Sequence, residues 1–302
     1  MRFREYVRIK ELLSLIAQGL GVLQYERSRA GIIENLSSSL KLVKEVLEDE
    51  DVPPRETLGM IRDLERKMQE WATATELCIG LCNRAKTSFE NEVKPKIKVA
   101  FLPYKAAMWD SLESIYFAAA NDPMCEVKVV PVPYYVLSEN GAEPCYEGGL
   151  FPSAIPITDY REYDLATERP DIIYVHNIYD QYNTVTRVYE EYFTANLKKY
   201  TELLVYVPYC LFSFRRPQPQ DVSATIAFGL PSMNNVDKVV VQGRYFRDLA
   251  LTIGLPEEKI LALGSPKVDR LVAAFEKGLT LPERWEHKIR GKTVFLFDTH
   301  ML

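Results

Sequence analysis

His176 is one of three histidines in the chain, and it directly follows the apolar run Ile172-Ile-Tyr-Val175. Imidazole titrates near neutral pH, so a histidine at a strand end can take a proton from an attacking hydroxyl. Asp180 lies close enough along the chain to orient that ring, with Asn177 between them. The plainer reading of a lone histidine is a structural hydrogen-bonding group. Three other segments carry similar promise. Lys105 follows the run Ile97–Leu102 and leads into Trp109, Asp110 and Ser111, where a cation meets the start of a predicted helix. Free N–H groups at such a start attract anions. Capping of the helix is the ordinary role for Asp110 or Ser111. After Leu203–Val207 comes Pro208-Tyr209-Cys210, then Arg215 and Arg216 among aromatic residues, which suits either an acceptor groove or a packed loop. After Ile260–Leu263 comes Gly264-Ser265-Pro266-Lys267, a turn, a cap, a first-turn proline and a cation. Of the remaining histidines, His287 sits in a charged, solvated stretch, and His300 lies in the terminal run and is given no role.

These residues share a position: each follows a short Val/Ile/Leu run. Beginning at Lys96, such runs (97–102, 125–132, 172–175, 203–207, 239–241 and 260–263) alternate with helical stretches, one of them Tyr245–Ile253. Continuous apolar runs without polar alternation suit strands buried on both faces, as in a parallel sheet. Strands separated by helices give an α/β, doubly wound, Rossmann-like fold, whose ligands lie beyond the carboxyl ends of the strands. Trp109, Leu112, Ile115, Tyr116 and Ala119 fall on one face of a predicted helix. Neither a GxGxxG nor a GxxxxGK[ST] motif is present, so no dinucleotide or P-loop fingerprint supports the assignment. The stretch 137–160, rich in Gly, Pro and acids, reads as a long loop that covers the strand ends or runs over the surface.

Residues 1–94 follow a different period. Leu36, Leu40, Val43 and Leu47 are spaced by four, three and four. Past Pro53-Pro54, an apolar seam runs through Ile61, Leu64, Met68, Trp71, Thr75, Cys78, Cys82, Ala85 and Phe89. That pattern predicts an N-terminal helical bundle or hairpin whose seam packs internally or forms a contact between copies. Phe3 to Leu23 is also helical by pattern, weakened near its end by Gly19 and Gly21. The expected division is 1–94 helical, 95–292 Rossmann-like, and 293–302 the opening strand of a further, truncated domain.

Composition narrows the function classes. A net charge of -5, from 37 basic and 42 acidic residues, argues against a protein built mainly to bind nucleic acid. With 47% hydrophobic residues a large core is available. Five scattered cysteines match a reduced cytosolic protein, and Cys78 and Cys82 read as core residues rather than metal ligands. No stretch reaches the ~20 apolar residues of a membrane span, although Arg2, Arg4, Arg8 and Lys10 suit peripheral contact with an anionic leaflet at the inner face of the membrane.

Two sets of segments carry a resemblance. Asp237–Arg247 and Gly254–Leu271 are similar to the end of the first half of a GT-B glycosyltransferase-type fold. Phe101–Ile115 and Tyr174–Asp180 resemble the CDP-glycerol:poly(glycerophosphate) glycerophosphotransferase family of teichoic-acid-type biosynthesis. The resemblance runs from about Lys96 onward. It implies transfer of glycerol phosphate from CDP-glycerol to a polymer or lipid-linked acceptor hydroxyl, with release of CMP. His176 and Asp180 are then the catalytic candidates. Lys105, Trp109, Asp110, Ser111, Asn177, Tyr209, Ser265 and Lys267 are the substrate-binding ones. No metal or other cofactor is required if cations and helix N-termini stabilise the charge. The donor-binding second domain is expected to be absent from this chain. Two other readings compete: a GT-B sugar transferase or sugar-nucleotide epimerase, and a non-catalytic helical oligomerisation or binding module.

Overall fold

Apolar residues three and four apart turn the first part of the chain into four helices, α1 (Phe3–Val22), α2 (Ala30–Glu48), α3 (Arg55–Gln69) and α4 (Thr75–Glu92). The computed structural model describes residues 1–23, 30–69, 75–211, 228–278 and 283–293. Polar pairs fix the directions of the helices. The Glu92 carboxylate accepts from the Thr57 N–H at 2.8 Å and from its hydroxyl at 2.7 Å, so the start of α3 meets the end of α4. Lys44 pairs with Glu65, and Lys10 with Glu90, each at 2.7 Å, giving antiparallel neighbours throughout. A Cβ on Gly19 would lie 2.7 Å from Leu36 Cδ2, so its bare backbone lets α1 and α2 approach closely.

The seam predicted as a single line over 61–89 is divided between α3 and α4, which fold back on each other. Ile61, Leu64, Cys82, Ala85 and Phe89 are all fully buried inside the bundle. Those seam residues are therefore consumed within the bundle. Trp71 lies outside the described residues. Cys78 and Cys82 are core residues, and Cys82 Sγ donates to the Leu13 carbonyl oxygen at 3.2 Å.

From Lys96 onward the strands are β1 (Ile97–Phe101), β2 (Cys125–Val129), β3 (Tyr134–Ser138), β4 (Gly141–Cys145), β5 (Ile172–Val175), β6 (Thr186–Val188), β7 (Leu203–Tyr206), β8 (Lys238–Val240) and β9 (Ile260–Leu261). The helices are α5 (Glu113–Ala120), α6 (Leu165–Glu168), α7 (Thr194–Leu197), α8 (Arg244–Thr252), α9 (Pro266–Lys277) and α10 (Glu283–Ile289). Six strands form a parallel sheet in the order β2-β1-β5-β7-β8-β9. Its residues alternate between two cores. Ala100, Ile173, Val175, Leu204 and Val239 pack on the side of α8. Val99, Phe101, Val205 and Val240 pack with Trp109, Leu112 and Tyr116 on the side of α5. Burial of both faces is the physical reason these runs lack polar alternation. The architecture is α/β and Rossmann-like, preceded by the helices.

Two expectations need correction. Residues 137–160 are not a structureless flap: β3 and β4 form a hairpin, β6 adds to β3 in a second, antiparallel sheet, and Phe151 and Ile155 are buried. The helix expected around Trp109 is a 3-10 helix, Ala106–Ser111, followed by α5. Trp109 is 2% exposed and packs edge-on against Phe101, Tyr116 and Phe151 as a core residue, its Nε1 buried without a hydrogen-bond partner. The terminal strand expected over 293–302 lies outside the described residues from 294 onward.

Candidate active site at the strand ends

The chain leaves β1 toward β2 on one side and returns to β5 on the other, so the strand order reverses between β1 and β5. In open α/β sheets the crevice beyond such a reversal is the usual ligand position. Tyr104 and Lys105 follow β1 there, and His176 and Asn177 follow β5. Both pairs thus stand at carboxyl ends of neighbouring strands.

His176 is fully buried, with both ring nitrogens engaged. Nε2 accepts from the backbone N–H of Tyr104 at 3.1 Å. Nε2 is therefore unprotonated, and the proton of the neutral ring sits on Nδ1, 3.2 Å from Ser111 Oγ. The Ser111 hydroxyl in turn donates to the Met108 carbonyl oxygen at 2.7 Å. Burial lowers the His176 pKa to about 3, with nearby Lys267 adding to the effect and a bond to the Met108 carbonyl opposing it. As it stands, the imidazole bridges the β1 loop and the 3-10 helix, and its lone pair is already used.

Asp180 does not orient His176. Its carboxylate accepts from the Thr194 N–H at 3.1 Å and from the Thr194 hydroxyl at 2.6 Å. Burial raises its pKa, against the lowering effect of those bonds. The Asn177 side-chain oxygen accepts from the Tyr179 N–H at 3.0 Å, which shapes the turn after β5. Tyr209 is half-buried, edge-on to His176 at 6.2 Å and to Tyr179 at 6.4 Å. Burial and the neighbouring Tyr179 push its pKa up to about 12.

Asp110 and Ser111 do not cap a helix. Asp110 takes Lys267 Nζ on both carboxylate oxygens, at 2.7 and 2.8 Å, so Lys267 is already neutralised. Arg270–Glu113 and Ser114–Asp269 contacts continue this seam between α9 and α5. Ser265 stands at the N-terminus of α9, but its side chain makes no capping bond. Lys105 differs. Its ammonium lies over the rings of Tyr104 and Tyr134, at 5.8 and 5.5 Å, and it forms no ion pair among the described residues.

Glu147 was missed from sequence. Its carboxylate accepts from the Ala106 N–H at 2.8 Å and from the Tyr134 hydroxyl at 2.6 Å. An anion thus already occupies the N-terminus of the 3-10 helix beside Lys105. A glutamate in a Gly-rich stretch carries no local signal of that role. Arg215 and Arg216 lie outside the described residues.

No family model matches the chain, and no curated protein matches it. Among solved structures it is similar to a protein assigned as UDP-N-acetylglucosamine 2-epimerase from Listeria monocytogenes, at 16% identity and a TM-score of 0.39, covering 65% of this chain and 51% of that one. A UDP-GlcNAc 2-epimerase from Neisseria meningitidis, bound to UDP-GlcNAc, matches at 13% identity and a TM-score of 0.38 over 64% and 54% of the two chains. A further UDP-N-acetylglucosamine 2-epimerase matches at 12% and 0.39 over 62% and 53%. The chain spans about half the length of these structures. Likeness at this distance assigns neither substrate nor reaction, and the architecture rests on the sheet described above.

Proposed function

We propose that the β1–β5 crevice receives the phosphate of a nucleotide-linked substrate, and that this chain supplies one Rossmann-like half of a GT-B-type enzyme. The observation that carries the reading is Lys105, an ammonium with no ion pair among the described residues at the point where the strand order reverses. A cation aimed at a phosphate needs no counter-charge of its own until the ligand arrives. Tyr209, half-buried at the same strand ends, adds a ring face and a hydroxyl of the kind that hold a polyol or sugar, above the buried rings of Tyr104 and Tyr134. His176 acts first as a positioning residue for the Tyr104–Lys105 turn. Service as a general base requires Nε2 to be released from the Tyr104 N–H. Asn177 sets the turn that carries Tyr179. Ser265 and Lys267 place the start of α9 beside the same strand ends.

Two reactions fit this class. Glycerol phosphate transfer from CDP-glycerol is the chemistry that the Phe101–Ile115 and Tyr174–Asp180 segments resemble. An acceptor hydroxyl attacks the phosphorus bonded to glycerol, loses its proton, and CMP leaves. Sugar-nucleotide epimerisation is the activity named for the three solved structures, and it inverts one sugar carbon without an acceptor. Incubation with CDP-glycerol plus a polyol-phosphate acceptor, and separately with UDP-GlcNAc alone, distinguishes them. CMP release supports the first and a new epimer the second. Absence of both binding and turnover with either nucleotide contradicts the proposal.

A further inference from the structure

A second concentration of positive charge lies at the opposite ends of the strands. A cleft of about 610 Å³ opens where the first turns of α1 meet the segments that lead into β5 and β7. That volume is within the ordinary range of small-ligand sites. Arg2, Arg4 and Arg8 enter it from α1, Arg169 from the turn before β5, and Lys198 and Lys199 from the turn before β7. Three carboxylates also line it, and each is already engaged. Glu5 accepts from the Arg2 N–H, Asp171 accepts from the Lys98 N–H at 2.8 Å, and Glu202 pairs with Arg4 at 2.7 Å. Lys198 is tied to Asp237 at 2.6 Å, and Lys199 reaches only the neutral Asn196 side chain. The guanidinium groups of Arg8 and Arg169 form no ion pair or hydrogen bond among the described residues. Six cationic and three acidic side chains line the recess, so it keeps an excess of positive charge in a chain of net charge -5.

Arg169 adds a backbone observation. It sits at φ 41° and ψ 63°, the left-handed region, as the residue that ends α6. Glycine fills that position without steric cost, whereas a side chain there is disfavoured. An arginine thus stands where the backbone alone favours glycine.

We propose that this cleft is a binding site for a phosphate monoester or diphosphate group, held by Arg8 and Arg169 with Lys199 beside them. Planar guanidinium groups match phosphate oxygens in pairs. A bound anion would bridge the helical bundle and the α/β unit, which already meet through Arg2 to the Thr167 carbonyl oxygen and through Arg4–Glu202. The site lies apart from the strand-end crevice and does not depend on the function assigned to it.

The test is titration of the full chain with pyrophosphate, by calorimetry and by thermal shift, at low and moderate salt. The same titration is made on Arg8→Ala, Arg169→Ala and Arg169→Gly, with a parallel arm using phosphatidylcholine vesicles doped with phosphatidic acid. The expected result is saturable pyrophosphate binding that raises the melting temperature and weakens with salt. Each arginine substitution weakens it about tenfold or more. Arg169→Gly separates the two roles, because it should melt no lower than the parent while losing affinity. Vesicle binding that needs the same arginines would identify the phosphate as a lipid headgroup, and binding in solution alone would identify a free phosphate compound. No binding in either arm, or affinity unchanged in the Arg8 and Arg169 variants, overturns the proposal.

Discussion

The backbone N–H of Tyr104 donates to Nε2 of His176 across the β1–β5 crevice, joining residues 72 positions apart in the chain. That bond decides the tautomer, places Lys105 over the tyrosine rings, and gives the most titratable residue of the site a structural task. A consequence is measurable in acid. The unfolded chain takes up a proton at His176 near the ordinary value of ~6.5, whereas the folded chain resists until about pH 3. Between those values the unfolded state holds more protons, so stability falls as pH drops. The expected contribution is about 1.4 kcal/mol per pH unit in that window. Chemical denaturation from pH 7 to pH 4 should show this slope in the parent and a flatter one in His176→Gln. Equal slopes would mean that the ring is not held neutral.

Glu147 occupies the N-terminus of the 3-10 helix, and its removal strands two donors. Glu147→Ala leaves the Ala106 N–H and the Tyr134 hydroxyl without that acceptor, at an expected cost of about 1–3 kcal/mol by urea denaturation. The same variant clears a negative charge from beside Lys105 and should bind nucleotide phosphate more tightly than the parent. Weaker binding would assign Glu147 to the ligand site as a contact rather than as its competitor.

The Asp110–Lys267 pair fastens α9 to the 3-10 helix, with Lys267 about a fifth and Asp110 about a third exposed. A double-mutant cycle of Asp110→Asn and Lys267→Met should give a coupling of about 1 kcal/mol that shrinks with added salt. Additive effects of the two substitutions would show that the pair is only a surface contact.

Legibility in the sequence followed the range of the interactions. The six strands of the parallel sheet were readable because burial on both faces leaves unbroken apolar runs, as in Ile172-Ile-Tyr-Val175. The hairpin was not. β4 is an exposed edge strand of Gly141-Ala-Glu-Pro-Cys145, whose composition reads as loop, and its proline is tolerated only because one side is unpaired. The division between α3 and α4 was also hidden, because Gln69 to Thr75 contains neither Gly nor Pro and the apolar spacing runs on. The strand-end positions of His176, Lys105 and Lys267 were readable in the same way, because each follows one of those runs. The partners of His176 and Lys267 lie far away in sequence, such as Asp110 for Lys267, 157 residues distant.

The role of Lys105 is the central claim, and ligand affinity tests it most directly. Calorimetric titration of the parent and of Lys105→Ala with CDP-glycerol and with UDP-GlcNAc should show binding of at least one nucleotide, weakened about tenfold or more by the substitution. The melting temperature should stay close to the parent's, because among the described residues Lys105 makes no ion pair in the folded chain. Equal affinity in parent and variant, or no binding of either nucleotide, would contradict the account.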